Sequence, residues 1–114
     1  MPYLKIQINH TLNTEISKNL LVLTSTKLAR ELGKPERYVM VELATNPAMI
    51  FGGTADPAAY PELKSIGLTA EQVKSLSQSL PLLLEETLGV PTSRTYIEFT
   101  DAKGSFWGWN GSTF

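Results

Sequence analysis

Leu32-Gly33-Lys34-Pro35, with Val41-Glu42-Leu43 shortly after it, returns 56 residues later as Leu88-Gly89-Val90-Pro91 with Ile97-Glu98-Phe99 at the same offset. Two unrelated segments can share an apolar rhythm. They less easily share a Gly-x-Pro and an apolar-Glu-apolar strand in one register, so we read an internal duplication. Outward from that match, Leu12, Glu15, Leu20 and Leu28 have counterparts in Leu68, Glu71, Leu76 and Leu84, without a gap. In each copy a glycine ends a helix and a proline soon after prevents its continuation. Each copy then reads strand, helix, strand. With short links that is a βαβ unit, which carries parallel strands and a right-handed crossover.

The individual elements follow. Over residues 2–9, Leu4, Ile6 and Ile8 alternate with Lys5, Gln7 and Asn9, which predicts a half-buried strand opened by Pro2. Asn13-Thr14-Glu15 offers caps for a helix ending at Leu32. Its expected buried face is Ile16, Leu20, Leu23, the Lys27 stem, Leu28 and Leu32. Tyr38 to Leu43 reads as the second strand. The segment 46–54 reads as a loop, with Gly52-Gly53 a turn. Tyr60 to Ser65 is a weaker strand, and Thr69 with Gln72 suggests a capping box. Val73, Leu76, Leu80, Leu83 and Leu84 form the second helix's apolar stripe, with Pro81 inside it at a cost of about 3 kcal/mol if unrelieved. Thr95 to Asp101 is the last long strand. The tail from Gly104 to Phe114 holds both tryptophans and two of the four phenylalanines. So aromatic a segment needs a surface to cover, either its own sheet or a subunit contact that also walls a pocket.

A chain of 114 residues with 42% hydrophobic content fits one domain over 1–114, with the repeat spanning about 2–45 and 60–101. There is no cysteine, so disulfides, zinc-thiolate sites and thiol catalysis are excluded. A net charge of −1 with interspersed signs lacks the basic stripe of a nucleic-acid binder. The apolar run Leu20-Leu21-Val22-Leu23 is too short for a membrane span or a signal-peptide core. The expectation is a cytoplasmic protein, with secretion left to a non-classical route. His10 is the only histidine and reads as an exposed turn residue, so no metal site is expected.

Met1-Pro2 carries the candidate chemistry. Removing Met1 would leave a secondary amine at the terminus. An α-amino group has a pKa of roughly 8, well below lysine's. An apolar pocket and a neighbouring cation both lower it further, giving a neutral base near pH 7. Many chains also begin Met-Pro with no such role. On residues alone, Lys34 reads as a solvated helix-end lysine that complements the helix dipole, and Tyr96 as a cross-strand aromatic.

Met1-Pro2, Gly33-Lys34-Pro35 with Tyr38, Met49-Ile50-Phe51-Gly52-Gly53, Ser65-Ile66-Gly67, Tyr96-Ile97 and Gly108-Trp109-Asn110-Gly111-Ser112-Thr113-Phe114 occur in one order across nearly the whole chain. In this the sequence resembles the macrophage migration inhibitory factor family of the tautomerase superfamily. The resemblance implies an α+β fold in which two pseudo-symmetric βαβ halves form a four-stranded mixed sheet backed by two antiparallel helices. It also implies a homotrimer with active sites between subunits. Pro2 would be the general base that moves a proton between carbon and enol oxygen of a 2-keto acid. Lys34 would pair with the substrate carboxylate, helped by the Ile66 backbone N–H and by Ser65. Tyr3 stands at a pocket position where methionine is common. Tyr38, Trp109 and Phe114 would line an aromatic slot, and Tyr96 would reach in from a neighbouring subunit. The implied activity is a cofactor-independent phenylpyruvate tautomerase, extending to dopachrome-like compounds, with a small aromatic 2-keto acid as substrate and neither nucleic acid nor membrane as partner. The alternative is a cytokine-like interaction protein with a vestigial pocket.

The chain also departs from the pattern. Glu98 replaces a pocket asparagine, and an acid there would oppose an anionic substrate. Trp107 replaces a small aliphatic residue and would narrow the pocket. Ala58-Ala59-Tyr60-Pro61 stands where vertebrate members carry Cys-x-x-Cys, which removes thiol oxidoreductase activity. Arg30, Arg37 and Arg94 occupy no obvious pocket position, which counts against a hydratase or dehalogenase.

Overall fold

The computed structural model describes residues 1–45 and 48–114. The start of the loop expected over 46–54 therefore lies outside the described residues. Strand β1 (Tyr3–Ile8) buries Leu4, Ile6 and Ile8 and leaves the alternate residues half-exposed, as its period of two requires. Helix α1 (Thr14–Leu32) begins where the Asn13 side chain accepts the Ile16 N–H at 2.7 Å and ends at Gly33, whose φ of 63° is left-handed. Helix α2 (Ala70–Leu88) opens on a complete capping box, with Thr69 and Gln72 each accepting the other's backbone N–H at 3.1 and 3.0 Å.

Helix α1 buries Leu20, Thr24, Leu28 and Leu32, a single row four residues apart. Ile16 and Leu23, expected in the core, are 39% and 41% exposed. The helix rests on the sheet along that one row, so positions three residues apart fall to its flanks. Thr24 takes a core place because its hydroxyl donates back to the Leu20 carbonyl at 2.7 Å and leaves only its methyl to pack. In α2, Leu76, Leu80 and Leu84 are buried, whereas Val73 and Leu83 are half-buried. Each fully buried leucine contributes roughly 1.5–3 kcal/mol. Pro81 sits within α2 without ending it. Its ring is buried among these leucines, so the missing hydrogen bond is offset by apolar packing.

The other strands are β2 (Met40–Ala44), β3 (Ala59–Ile66) and β4 (Glu98–Ala102). They form one sheet in the order β2-β1-β3-β4. The pairs β1–β2 and β3–β4 are parallel, and the central pair β1–β3 is antiparallel. The sheet is mixed, and the two βαβ halves are related by a pseudo-two-fold axis between β1 and β3. Two strands start later than their sequence suggests. Tyr38 belongs to a 3₁₀ turn, Glu36–Tyr38, and Thr95 to Ile97 follow a matching turn, Thr92–Arg94. In both cases proline opens the turn and its carbonyl receives the first hydrogen bond, so the chain coils once before it can extend.

Both helices cover one face of the sheet. The other face carries a rung running Glu42, Lys5, Glu62, Glu98 across the four strands. The Tyr3 hydroxyl donates to Glu42, and the Tyr60 hydroxyl donates to Glu98 at 3.3 Å. His10, expected to be exposed, is half-buried with Nδ1 shut off from solvent. The returning segment covers this end of β1, because Asn9 donates to the Asp56 carbonyl at 3.0 Å and accepts the Ala58 N–H at 2.8 Å. Among the described residues, no helix is long and apolar enough to cross a membrane.

Candidate active site

Pro2 is fully buried and precedes β1. Its carbonyl accepts the Met40 N–H at 3.0 Å, which fixes the N-terminal corner against the start of β2. The Met1 amine donates to the Tyr38 carbonyl at 2.7 Å. Burial, and then the charge of Lys34, hold this amine below its ordinary value of 8.0. With Met1 attached, the Pro2 nitrogen is an amide and is not basic.

Lys34 follows the left-handed Gly33, and its N–H donates to the Ala29 carbonyl at 3.1 Å. Its side chain is not a solvated helix-end lysine. Nζ reaches the Ile66 carbonyl at the end of β3, 3.2 Å away. Just beyond, Gly67 turns with φ 76°, and the Gly67 and Leu68 N–H groups donate to Asp101 at 2.9 and 3.1 Å. The end of β3 is thus held from both sides, and Lys34 comes to the same corner as the amine that it depresses.

Tyr38 supplies the third part. Its ring meets Trp109 edge-on with centroids 5.3 Å apart and Phe114 at 6.0 Å, while Trp109 and Phe114 stack at 5.9 Å. The two tail aromatics arrive on a hairpin of β5 (Gly108–Trp109) and β6 (Ser112–Thr113). Asn110 and Gly111 make its turn with φ of 51° and 80°, the conformation that Asn-Gly adopts most readily. The dipeptide signals a hairpin that our reading of the sequence passed over.

Other expected site residues lie elsewhere. Tyr96 is 67% exposed beyond the opposite end of the sheet, because Ala59, its backbone partner, pairs with Ile8 at the far end of β1. There it packs on Phe51 at 4.7 Å beside a cavity of about 590 Å³ that Tyr60 and Glu98 also line. Ser65 is fully buried on the helix side of β3, its hydroxyl without a partner among the described residues. Tyr3 lies on the open sheet face, bound to Glu42. Trp107 shares with Tyr3 and Met40 a cavity of about 530 Å³ and does not enter the Tyr38 cluster. Arg37, which the sequence placed at no obvious pocket position, has its guanidinium 4.7 Å above the Tyr38 ring.

The family model for macrophage migration inhibitory factor, or MIF, matches residues 1–114. This chain belongs to the MIF family. MIF proteins are part of the tautomerase superfamily. The chain is 44% identical to a MIF homolog of Brugia malayi, over 100% of this chain and 99% of that one. It superposes on the crystal structure of a MIF homologue from Prochlorococcus marinus with a TM-score of 0.93 and 41% identity, covering 98% of each chain. It is also similar to a protein whose crystal structure was determined after inactivation by 2-oxo-3-pentynoate, with a TM-score of 0.88 and 27% identity over 97% of this chain and 94% of that one.

Proposed function

We propose that this MIF-family protein, once Met1 is removed, is a cofactor-independent keto–enol tautomerase of phenylpyruvate-type 2-keto acids, extending to dopachrome-like compounds. The observation that carries the reading is the corner where an amine with a lowered pKa, Lys34 and three aromatic rings meet. Each part answers a feature of the substrate. Lys34 balances the carboxylate, the rings of Tyr38, Trp109 and Phe114 accept the aryl group, and a neutral Pro2 amine takes the proton. In the forward direction the amine removes a proton from C3, and the C–H electrons form the C2–C3 double bond. The carbonyl oxygen becomes an enol oxygen by receiving a proton, and the reverse path returns one to C3. The inactivated relative fits this chemistry, since its inactivator is itself a 2-oxo acid.

The site is completed in this proposal by a second copy. The active form is a homotrimer in which Tyr96 of a neighbour approaches the Pro2 corner. Support comes from its exposure and from its distance along the sheet from its own Pro2. Met40 and Ile50, 65% and 72% exposed, are further apolar surface that an interface would cover.

The test is ketonisation of phenylpyruvate enol across pH. Pro2→Gly should lower turnover by about 10²–10⁴-fold with the assembly intact. Sedimentation equilibrium should give about three times the chain mass of 12.6 kDa. Full activity with the terminal nitrogen acylated would end the proposal.

A further inference from the structure

Between Lys34 and Tyr38 the chain carries one acid, Glu36, and it turns away. Its carboxylate accepts the Ser25 hydroxyl at 2.9 Å on the flank of α1. Arg37 turns the other way, onto the Tyr38 ring. Among the described residues the only ion pair is Lys27–Glu31, so neither Lys34 nor Arg37 has a carboxylate partner. Lys34 spends its contact on the Ile66 carbonyl. The exposed Arg37 guanidinium makes no hydrogen bond among those residues, so its planar fork of donors stays free while its face rests on the ring. The Met1 amine joins the same stretch at the Tyr38 carbonyl. Two side-chain cations, Lys34 and Arg37, are thus set on the stretch that ends at Tyr38, with no carboxylate paired to either among the described residues. Such a field concentrates anions.

We propose that Arg37 is a second carboxylate-recognition residue of this site, which selects aromatic acids over their neutral esters. It is exposed where Lys34 is half-buried, so an incoming carboxylate meets it first, and its stack on Tyr38 holds the guanidinium beside one ring of the aromatic cluster. The inference deepens the tautomerase reading and rests on it for the identity of the site, although binding tests it separately from turnover.

The experiment compares wild type, Arg37→Ala and Arg37→Lys. Their kcat/KM is measured with phenylpyruvate and with its methyl ester, and calorimetry follows binding of phenylacetate, which cannot tautomerise. Arg37→Ala should lower the acid-over-ester ratio about threefold to tenfold, through KM and not kcat, and weaken phenylacetate by a similar factor. The loss should shrink at high salt. Arg37→Lys should recover part of it by restoring the charge without the fork. An unchanged ratio with unchanged phenylacetate affinity, or a fall confined to kcat, would overturn the proposal. If wild type turns over neither compound while phenylacetate binding still depends on Arg37, the tautomerase reading fails and the anion site stands.

Discussion

The two halves of this chain place the same backbone corner twice and fill it with different chemistry. In the first half the Pro2 carbonyl accepts the Met40 N–H at 3.0 Å. In the second the Ala59 carbonyl accepts the Tyr96 N–H at 3.2 Å. Each corner follows a helix closed by a left-handed glycine, then a proline-initiated 3₁₀ turn. Yet Lys34 corresponds to Val90, which is wholly buried, and Tyr38 corresponds to Arg94. Arg94 donates to the carbonyls of Phe51, Thr54, Asp56 and Pro57 at 3.0–3.3 Å and stacks on Phe51 at 5.2 Å. One corner thus gathers an amine, a cation and an aromatic wall. Its counterpart uses the same geometry to fasten a loop. The frame comes from the repeat, and the candidate chemistry comes from four side chains, Lys34, Tyr38, Trp109 and Phe114, and a chain end.

The largest expected effect comes from making Pro2 resemble Ala59, an internal amide. A chain with an uncleaved residue ahead of Pro2 keeps every side chain and loses only the basic nitrogen. Enol ketonisation should fall about 10²–10⁴-fold against the processed chain, with circular dichroism unchanged. Equal rates would show that the chemistry does not use the one nitrogen that sets Pro2 apart from Ala59. Next is Lys34→Val, the second half's own choice. It removes the carboxylate partner and one cause of the depressed amine pKa. The KM for phenylpyruvate should rise about tenfold. The sign of the pH effect follows from the amine, which must be neutral to act. Burial and Lys34 lower the Met1 amine at this corner, so the Pro2 activity limb should likewise lie low and should move up in the variant. A limb that stays put would mean that burial alone sets the amine.

The repeat made most of this comparison legible in advance. Gly33 and Gly89, Pro35 and Pro91, and the strand triplets locate both helix ends and both crossovers without a structure. The period-two burial of β1 was equally plain in Leu4, Ile6 and Ile8. Burial on α1 was not, because a lone helical wheel cannot say whether the sheet takes a row four residues apart or a broader face; Ile16 and Leu23 were lost to that. The strand starts slipped because proline restricts the chain locally, whereas the 3₁₀ turn after it is set by where the sheet waits. Within the candidate site, Pro2 and Lys34 were readable as types, but the approach of the N-terminal amine to Tyr38, and of Lys34 to Ile66, is long-range. Arg37 was given no pocket position because its stacking partner is its own neighbour, and sequence adjacency says nothing about which way a guanidinium folds. Asp101 escaped for the opposite reason, since it caps a turn more than thirty residues away.

Arg94 tests the structural corner as Lys34 tests the chemical one. Arg94→Tyr, which gives the second half the first half's residue, removes all four carbonyl contacts at once. The carbonyls lie near the surface and regain water, so the loss should be about 2 kcal/mol, read from urea unfolding. Amide exchange should quicken in the segment around Phe51 and stay unchanged at Tyr38. Uniform quickening at both corners would mean that the loop is not a separate dependency of Arg94.

The smallest effect lies on the open face of the sheet, where the pseudo-symmetry sets Tyr3 with Glu42 against Tyr60 with Glu98. Hydrogen bonding to Glu42, then burial and the charges of Glu42 and Glu62, push the Tyr3 hydroxyl up to about 12. A folded-state pKa above the unfolded value of about 10 stabilises the fold by an amount fully present below pH 10 and lost as pH rises through about 12. The Tyr3 hydroxyl lies on the open, solvated face of the sheet, so the stability at stake is a fraction of a kcal/mol after screening. Ultraviolet titration of the four tyrosines should therefore show Tyr3 ionising latest, near 12, with Tyr60 also raised by burial and by Glu98. Glu42→Gln should bring Tyr3 back towards 10, since the amide removes both the charge and the strongest acceptor. Glu98→Gln should leave it where it is, because Tyr3 makes no bond to Glu98. If both substitutions moved the late titration equally, the rung of carboxylates would be acting as one field, and the pairing of each tyrosine with its own glutamate would carry no separate weight.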